Sequence, residues 1–463
     1  MNRKGETPSM SQEKNNTPHL VRNESVADGA TPTGKPGAGF PDFYALREQP
    51  DGTPDMTLTV DEYDRLERDL FDVNNATLQM VYRFARFHQV APLTALVLLI
   101  QNVCTALPAG TTFDIGLGRS PLNLYVAVLG RPGTGKGRAS KVTTDQPPIQ
   151  VAGRATYVET ASCGSGEGLL TQLNANKDEP PAPTLFVENE VTKLTKVMNR
   201  DGSTLRPCVL SMFSGEDMGV TNKSERLRVQ GGSYSASLRI SCQYDTAGPL
   251  VSGVDDGLSE RFLWVETIDP FSPVGSRRGD GPHLLKTVTF THSDCPLHFT
   301  FPDGIRESVR RAHDMSRKMG RFTGTGGAHD TEIQARVASG FAALRSTTCV
   351  DHDDWERAGV ILAYSNRVKR FIRAHVEAMS DEAEQDRFTK QVERRKKAII
   401  TALEKSNGQR WTTMRNGVNI RCRDAFDSAV EALRDEGRIR IGSDGSGRRG
   451  SLWLLSGNSL YAV

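Results

Sequence analysis

Cysteine is scarce and scattered, charge is almost balanced, and no apolar run is long enough to cross a bilayer; each shortage narrows what this chain can do. The seven cysteines among 463 residues have no paired spacing, which fits a reducing compartment rather than a disulfide framework. The nearest approach to a metal spacing, His292-x-x-Cys295-x-x-His298, offers too few ligands to close a zinc site. A formal net charge of +2 and an isoelectric point near 8.1 do not announce a nucleic-acid binder, so local patches must carry any such argument. The most apolar segment, APLTALVLLI at residues 91–100, reaches residue 107 only by taking in Gln101 and Asn102. It falls short of the roughly 20 apolar residues a spanning helix needs and reads as a buried helix, with no membrane partner. No hydrophobic run follows the basic start, so no signal peptide is expected and the expected location is cytoplasmic. Residues 1–40, rich in Asn, Thr, Gly, Pro and charge, read as a disordered arm.

What is present is organised around residues 122–140, LNLYVAVLGRPGTGKGRAS. The apolar run 124–129 reads as a buried strand feeding Gly130-Arg131-Pro132-Gly133-Thr134-Gly135-Lys136, the phosphate-loop pattern G-x-x-x-x-G-K between a strand and a helix. Glycines let successive backbone N–H groups curl around phosphate oxygens, the Lys136 ammonium neutralises the outer phosphates, and the following helix points its N-terminus at the same charge. Residues Gly130 to Gly137, with Arg138 in the first helical turn, are therefore the candidate contacts for ATP and Mg²⁺. Gly137 stands where most such loops carry a hydroxyl for the metal; water or Ser140 would fill that position, and the glycine keeps a nucleotide or small-molecule kinase open.

Downstream, TLFVENE at 184–190 is a short apolar strand ending in carboxylates, the complement a nucleotide hydrolase needs opposite its phosphates. Glu188 is the candidate metal-side residue and Glu190 the candidate water-positioning residue, with the roles exchangeable; a solvated helix start is the plain alternative. A further strand at 235–242 presents Gln243, a polar candidate to sense the terminal phosphate or aim the water. Arg261, just before the apolar run FLWV, is suited to act in trans on a neighbour's nucleotide, or else to an ordinary ion pair with Glu260 or Asp256. Arg336 lies among apolar residues in a helix at 332–344 and wants a charged partner, making it a candidate second nucleotide contact. Lys223, Arg226 and Arg228 form a local basic patch that fits DNA backbone or plain solvation equally well.

The expected organisation is a helical lead-in over 41–110, an α/β core over 111–300, a helical region over 301–405 with separate helices at 355–379 and 382–403, and a small domain over 406–463. In that last part a helix at 421–435, a glycine stop at Gly437 and a basic hairpin around SDGSGRR follow the order of a winged helix, a module that binds DNA or protein.

Taken together, PLNLYVAVLGRPGTGKG, SGEGLL at 165–170, FVENE at 186–190, RDGSTL at 200–205 and GLSERFLWV at 257–265 resemble P-loop ATPases related to the DUF3987 family of actinobacteria, phages and mobile elements. The resemblance spans roughly residues 75–455. It implies a RecA/AAA+-like P-loop NTPase core and a helicase-type motor or loader, with Lys136 and Glu190 matching the nucleotide site and Arg261 the "RFL" arginine. It further implies a homo-oligomer such as a hexameric ring, acting on DNA beside a separate primase or replication initiator. The alternatives are the kinase and a non-catalytic DNA-binding or assembly module.

Overall fold

The computed structural model describes residues 47–48, 54–55, 58–174, 181–221, 226–251, 257–272, 281–291, 296–319, 329–443 and 449–455. The disordered-arm expectation for residues 1–40, the patch residue Lys223, the ligand positions His292 and Cys295, and the hairpin tip 444–448 lie outside them.

Three helices lead in. Helix α1 (Val60–Leu70) starts at Thr59, whose hydroxyl accepts from the Glu62 N–H while the Glu62 carboxylate accepts from the Thr59 N–H, a reciprocal arrangement that satisfies two end donors. Helix α2 (Ala76–Phe87) is capped by Asn75. Helix α3 (Pro92–Ala106) begins with proline at its first position, which suits that residue's missing N–H, and every one of its residues is buried. Among the described residues no single helix is long and apolar enough to cross a membrane.

The central sheet has five parallel strands: β1 (Tyr125–Leu129), β2 (Glu159–Ala161), β3 (Thr184–Glu188), β4 (Ala236–Cys242) and β5 (Phe262–Glu266), in the order β5-β1-β4-β3-β2. Strands β1, β4 and β5 are buried along their whole length, the continuous apolar pattern expected where both faces of a parallel sheet are covered. One face carries α3 and α4 (Lys136–Thr143); Gln101 of α3 donates to the carbonyls of Leu124 and Leu238 at 2.9 Å each. The other carries α6 (Val191–Met198) and α7 (Leu205–Ser214), where the Tyr125 hydroxyl donates to the Val209 carbonyl at 2.6 Å. Helix α5 (Gly166–Leu173), capped by Ser165, packs beside α7.

One reading changes between β1 and β3. The sequence suggests a single strand over 154–160, but Arg154–Thr156 folds back on Ile149–Val151 as a hairpin and Glu159–Ala161 alone joins the sheet. The turn is Ala152-Gly153, both at positive φ, a conformation hairpin turns favour.

After β5 come α8 (Asp303–Met319), the buried α9 (Asp330–Leu344) and α10 (His352–Lys405). Helix α10 is continuous for 54 residues, about 80 Å at 1.5 Å per residue, where two helices are expected from sequence. Neither glycine nor proline falls between 360 and 405, so nothing breaks the backbone ladder at 380–381. Its first half braces β5: the Ser365 hydroxyl accepts from Trp264 N–H at 2.8 Å, and Glu260 pairs with Lys369 at 2.6 Å and with Arg373. Its last turns supply Ile399, Ile400 and Leu403 to a second, smaller core with Phe426, Val430, Leu433, Ile439 and Leu452. That core joins α11 (Trp411–Asn416), α12 (Arg423–Asp435) and a hairpin of β6 (Ile439–Ser443) and β7 (Arg449–Leu454), with Gln409–Arg410 pairing against β7.

Candidate functional site

The glycine-rich loop leaves the carboxyl end of β1 between two neighbouring strands that hold its root. The Gly130 N–H donates to the Cys242 carbonyl of β4 at 3.3 Å, and the Thr267 N–H, just past β5, donates to the Leu129 carbonyl at 2.9 Å. The loop then closes on itself. Thr134 donates through its hydroxyl to the Arg131 carbonyl at 2.9 Å, and the Thr134 and Thr267 hydroxyls lie 2.8 Å apart. Lys136 Nζ donates to the Gly130 carbonyl and, at 3.0 Å, to that of Arg131, and partial burial pulls its pKa down. Gly133 and Gly135 sit at φ +81° and +94° with open space where a Cβ would stand. Only glycine takes up such φ values readily.

Strand order brings the other candidates to the same edge. β4 lies between β1 and β3, so Gln243 follows β4 directly beside Gly130, and Glu188 and Glu190 follow at the end of β3. The two glutamates differ sharply. Glu188 is buried, and its Oε1 accepts from the Ser162 hydroxyl at 2.6 Å and the Cys163 N–H at 2.5 Å. Glu190 is exposed at the N-cap of α6 with no side-chain capping bond. Among the described residues no group of three or more His, Cys, Asp or Glu is placed to hold a metal ion. A magnesium ion held mostly by phosphates and water needs only one or two carboxylates; of these two, Glu190 is exposed, whereas Glu188 is buried with its Oε1 already accepting two hydrogen bonds.

Arg138, exposed in the first turn of α4, donates to Gln89 at 3.1 Å. Two other arginines fall elsewhere. Arg336, expected as a nucleotide contact, is fully buried at the opposite, amino end of the sheet. It donates to the carbonyls of Pro121 and Phe213 at 3.0 and 3.1 Å and lies 3.7 Å from the centre of the Phe213 ring. Burial pulls its pKa down to about 10 despite Glu332 nearby. That reading is corrected: a side chain engaged by carbonyls preceding β1 does not reach the loop following it. Arg261 also sits at the amino end, donating to the Gly257 carbonyl at 3.0 Å with its guanidinium 5.7 Å from the Phe213 ring. It is not near the loop of its own chain. In the basic hairpin (Met218–Thr221 with Arg226–Val229), Arg228 is ion-paired to Asp217 at 2.6 Å.

Two features were not foreseen from sequence. Ser162 and Cys163 hold Glu188, and a local motif search has no means of pairing residues 25 positions apart. Arg239 stands in the middle of β4, 2% exposed, donating to Gln101 at 2.8 Å, Asn102 at 2.7 Å and Ser140 at 3.1 Å. The signal for it was legible, an arginine inside the strand ASLRISC. Beside it, between α4 and the β3 side of the sheet, lies a cavity of about 760 Å³ bordered by Lys136, Gly137 and Ser140. No protein-family model and no curated protein sequence matches this chain.

Proposed function

We propose that the chain is an ATPase acting on DNA, of the kind that drives replication or maintenance of a phage, plasmid or other mobile element. In this reading the α/β core is a P-loop NTPase of RecA/AAA+-like type, and the C-terminal module is a winged helix. The observation that carries it is the convergence at one sheet edge of the Gly130–Lys136 loop, the Glu188/Glu190 strand end and Gln243, because nucleotide sites gather beyond the carboxyl ends of parallel strands. Loop N–H groups and Lys136 hold the phosphates. Glu190, exposed and uncommitted to a cap, accepts the proton of a water attacking the γ-phosphorus as ADP departs, and Gln243 orients that water. Mg²⁺, bound near Glu188, would offset phosphate charge. Arg261, remote from its own loop, is the residue to approach a neighbouring subunit's nucleotide, which makes a homo-oligomeric ring the natural working form.

DNA contact is supported by the C-terminal module. Helix α12 buries Ala425, Phe426, Ala429, Val430 and Leu433, while Arg421, Arg438 and Arg440 are exposed around it and its hairpin, available to phosphates. The test is steady-state ATP turnover by the full-length protein with and without single-stranded and duplex DNA, alongside its mass in solution. Several-fold stimulation by DNA in a multimer is expected. A second reading, a small-molecule or nucleotide kinase, is favoured by Gly137 alone; ATP consumption by a monomer, unchanged by DNA and dependent on a phosphoryl acceptor, would replace the first reading with it.

A further inference from the structure

Among the described residues, Arg239 is a buried cation with no carboxylate partner. Its three recorded hydrogen bonds all go to neutral oxygens, those of Gln101, Asn102 and Ser140, and use three of its five N–H donors. Burial pulls its pKa down, to about 9. An arginine whose only task was to tie α3 and α4 to the sheet would be replaceable by a neutral donor, and an uncompensated buried charge is costly to keep. The charge has a place to act, since Arg239 and Ser241 of β4 line the 760 Å³ cavity. Among the described lining residues Lys136 and Lys141 add positive charge, and Asp145 is the one carboxylate. The lining is otherwise mostly apolar, with Ile149 and, on β3 beside Arg239, Leu185 and Val187, and Tyr157 stands 77% exposed among the lining residues. A mostly apolar pocket of this volume with a few convergent polar groups is the usual form of a small-molecule site. The residues 130–135 of the glycine-rich loop are not part of its lining.

We propose that this cavity is a second small-molecule site, taking an organic phosphate of nucleoside-monophosphate size, with the phosphate on Arg239 and the organic body against Ile149, Val187 and Tyr157. Lys136 at the end of the loop borders the site, but its phosphate contact does not depend on the loop being a nucleotide site, because Arg239 and the apolar walls belong to other elements. Calorimetric titration of the full-length protein with AMP and the four deoxynucleoside monophosphates, in excess Mg·ADP and with adenosine as a phosphate-free control, tests it. At least one monophosphate should bind at one per chain, adenosine at least tenfold more weakly. Arg239→Gln should weaken binding at least tenfold. Thr160→Trp, at an exposed lining position, should do the same with its melting temperature unchanged, so the test stands even where the buried Arg239→Gln change prevents folding. Absence of binding by every monophosphate, or equal binding by wild type and Thr160→Trp, overturns the proposal. Should ADP alone fail to bind while the monophosphate result holds, the loop reading fails and the cavity stands.

Discussion

Gly130 is the position where a single methyl group probes the loop most directly. A Cβ there would lie 2.3 Å from both the Thr134 and Thr267 hydroxyl oxygens and 3.3 Å from Cγ of Lys136, so each hydroxyl must retreat by about 1 Å to reach ordinary contact. Two relaxations are open. The threonines can rotate, losing the 2.8 Å Thr134–Thr267 bond and the 2.9 Å bond to the Arg131 carbonyl, at about 1 kcal/mol each. Alternatively the loop backbone can shift, an overpacking cost of about 1–3 kcal/mol. Either way Gly130→Ala should cost about 2 kcal/mol of stability and, by moving the backbone donors, weaken Mg·ATP binding by roughly 10- to 100-fold, or about 1.4–2.8 kcal/mol. Denaturant unfolding and titration calorimetry read the two effects separately. Adding Thr134→Ala and Thr267→Ala to Gly130→Ala removes both clashing oxygens and should restore much of the affinity. Unchanged ATP affinity in Gly130→Ala, or no recovery in the triple variant, would refute the argument that this close packing shapes a nucleotide cradle.

The two glutamates of β3 should separate cleanly. Glu190→Gln, at an exposed position, is expected to keep its stability and ATP binding while losing roughly 10²- to 10⁴-fold in turnover; turnover within a factor of a few of wild type would remove it from the water-positioning role. Glu188→Ala should lower stability by about 1–3 kcal/mol, because it strands the buried Cys163 N–H and the Ser162 hydroxyl, and an unaltered unfolding midpoint would contradict that. The pH response of the α10 brace follows from Glu260. Burial pushes its carboxyl up, but the hydrogen bonds and charges of Lys369 and Arg373 outweigh this and hold its pKa below the usual value. A carboxylate so depressed contributes stability that is complete at neutral pH and is lost as the pH falls through its folded-state pKa. Glu260→Gln should therefore be about 2 kcal/mol less stable than wild type at pH 7, with the gap closing in acid; a gap constant from pH 7 to 3 would show that the pair does not act through charge.

The elements that the sequence revealed are those whose signals are local. The strand before Gly130, the buried helix α3 and the Gly437 stop are each written within a few residues, and all occur where their patterns place them. The edge that gathers Gln243 with the two glutamates was also legible, because residues ending parallel strands share one side. What sequence did not reveal depends on distant partners. Arg336 looks the same in sequence whether its guanidinium meets a phosphate or the carbonyls of Pro121 and Phe213, 215 and 123 positions away. The break at residues 157–158 hinges on which strand each half finds, Ile149–Val151 or β3. Arg239 drew no notice inside the strand ASLRISC, because its role depends on α3 and α4 being brought against β4.

The central claim is that the Gly130–Lys136 loop binds the triphosphate of ATP through its backbone and Lys136. Titration of Mg·ATP into the full-length protein and into Lys136→Ala tests it most directly. The loop reading predicts that Lys136→Ala, correctly folded, binds ATP at least tenfold more weakly, because the ammonium would face the outer phosphates. Equal ATP affinity in wild type and Lys136→Ala would contradict it.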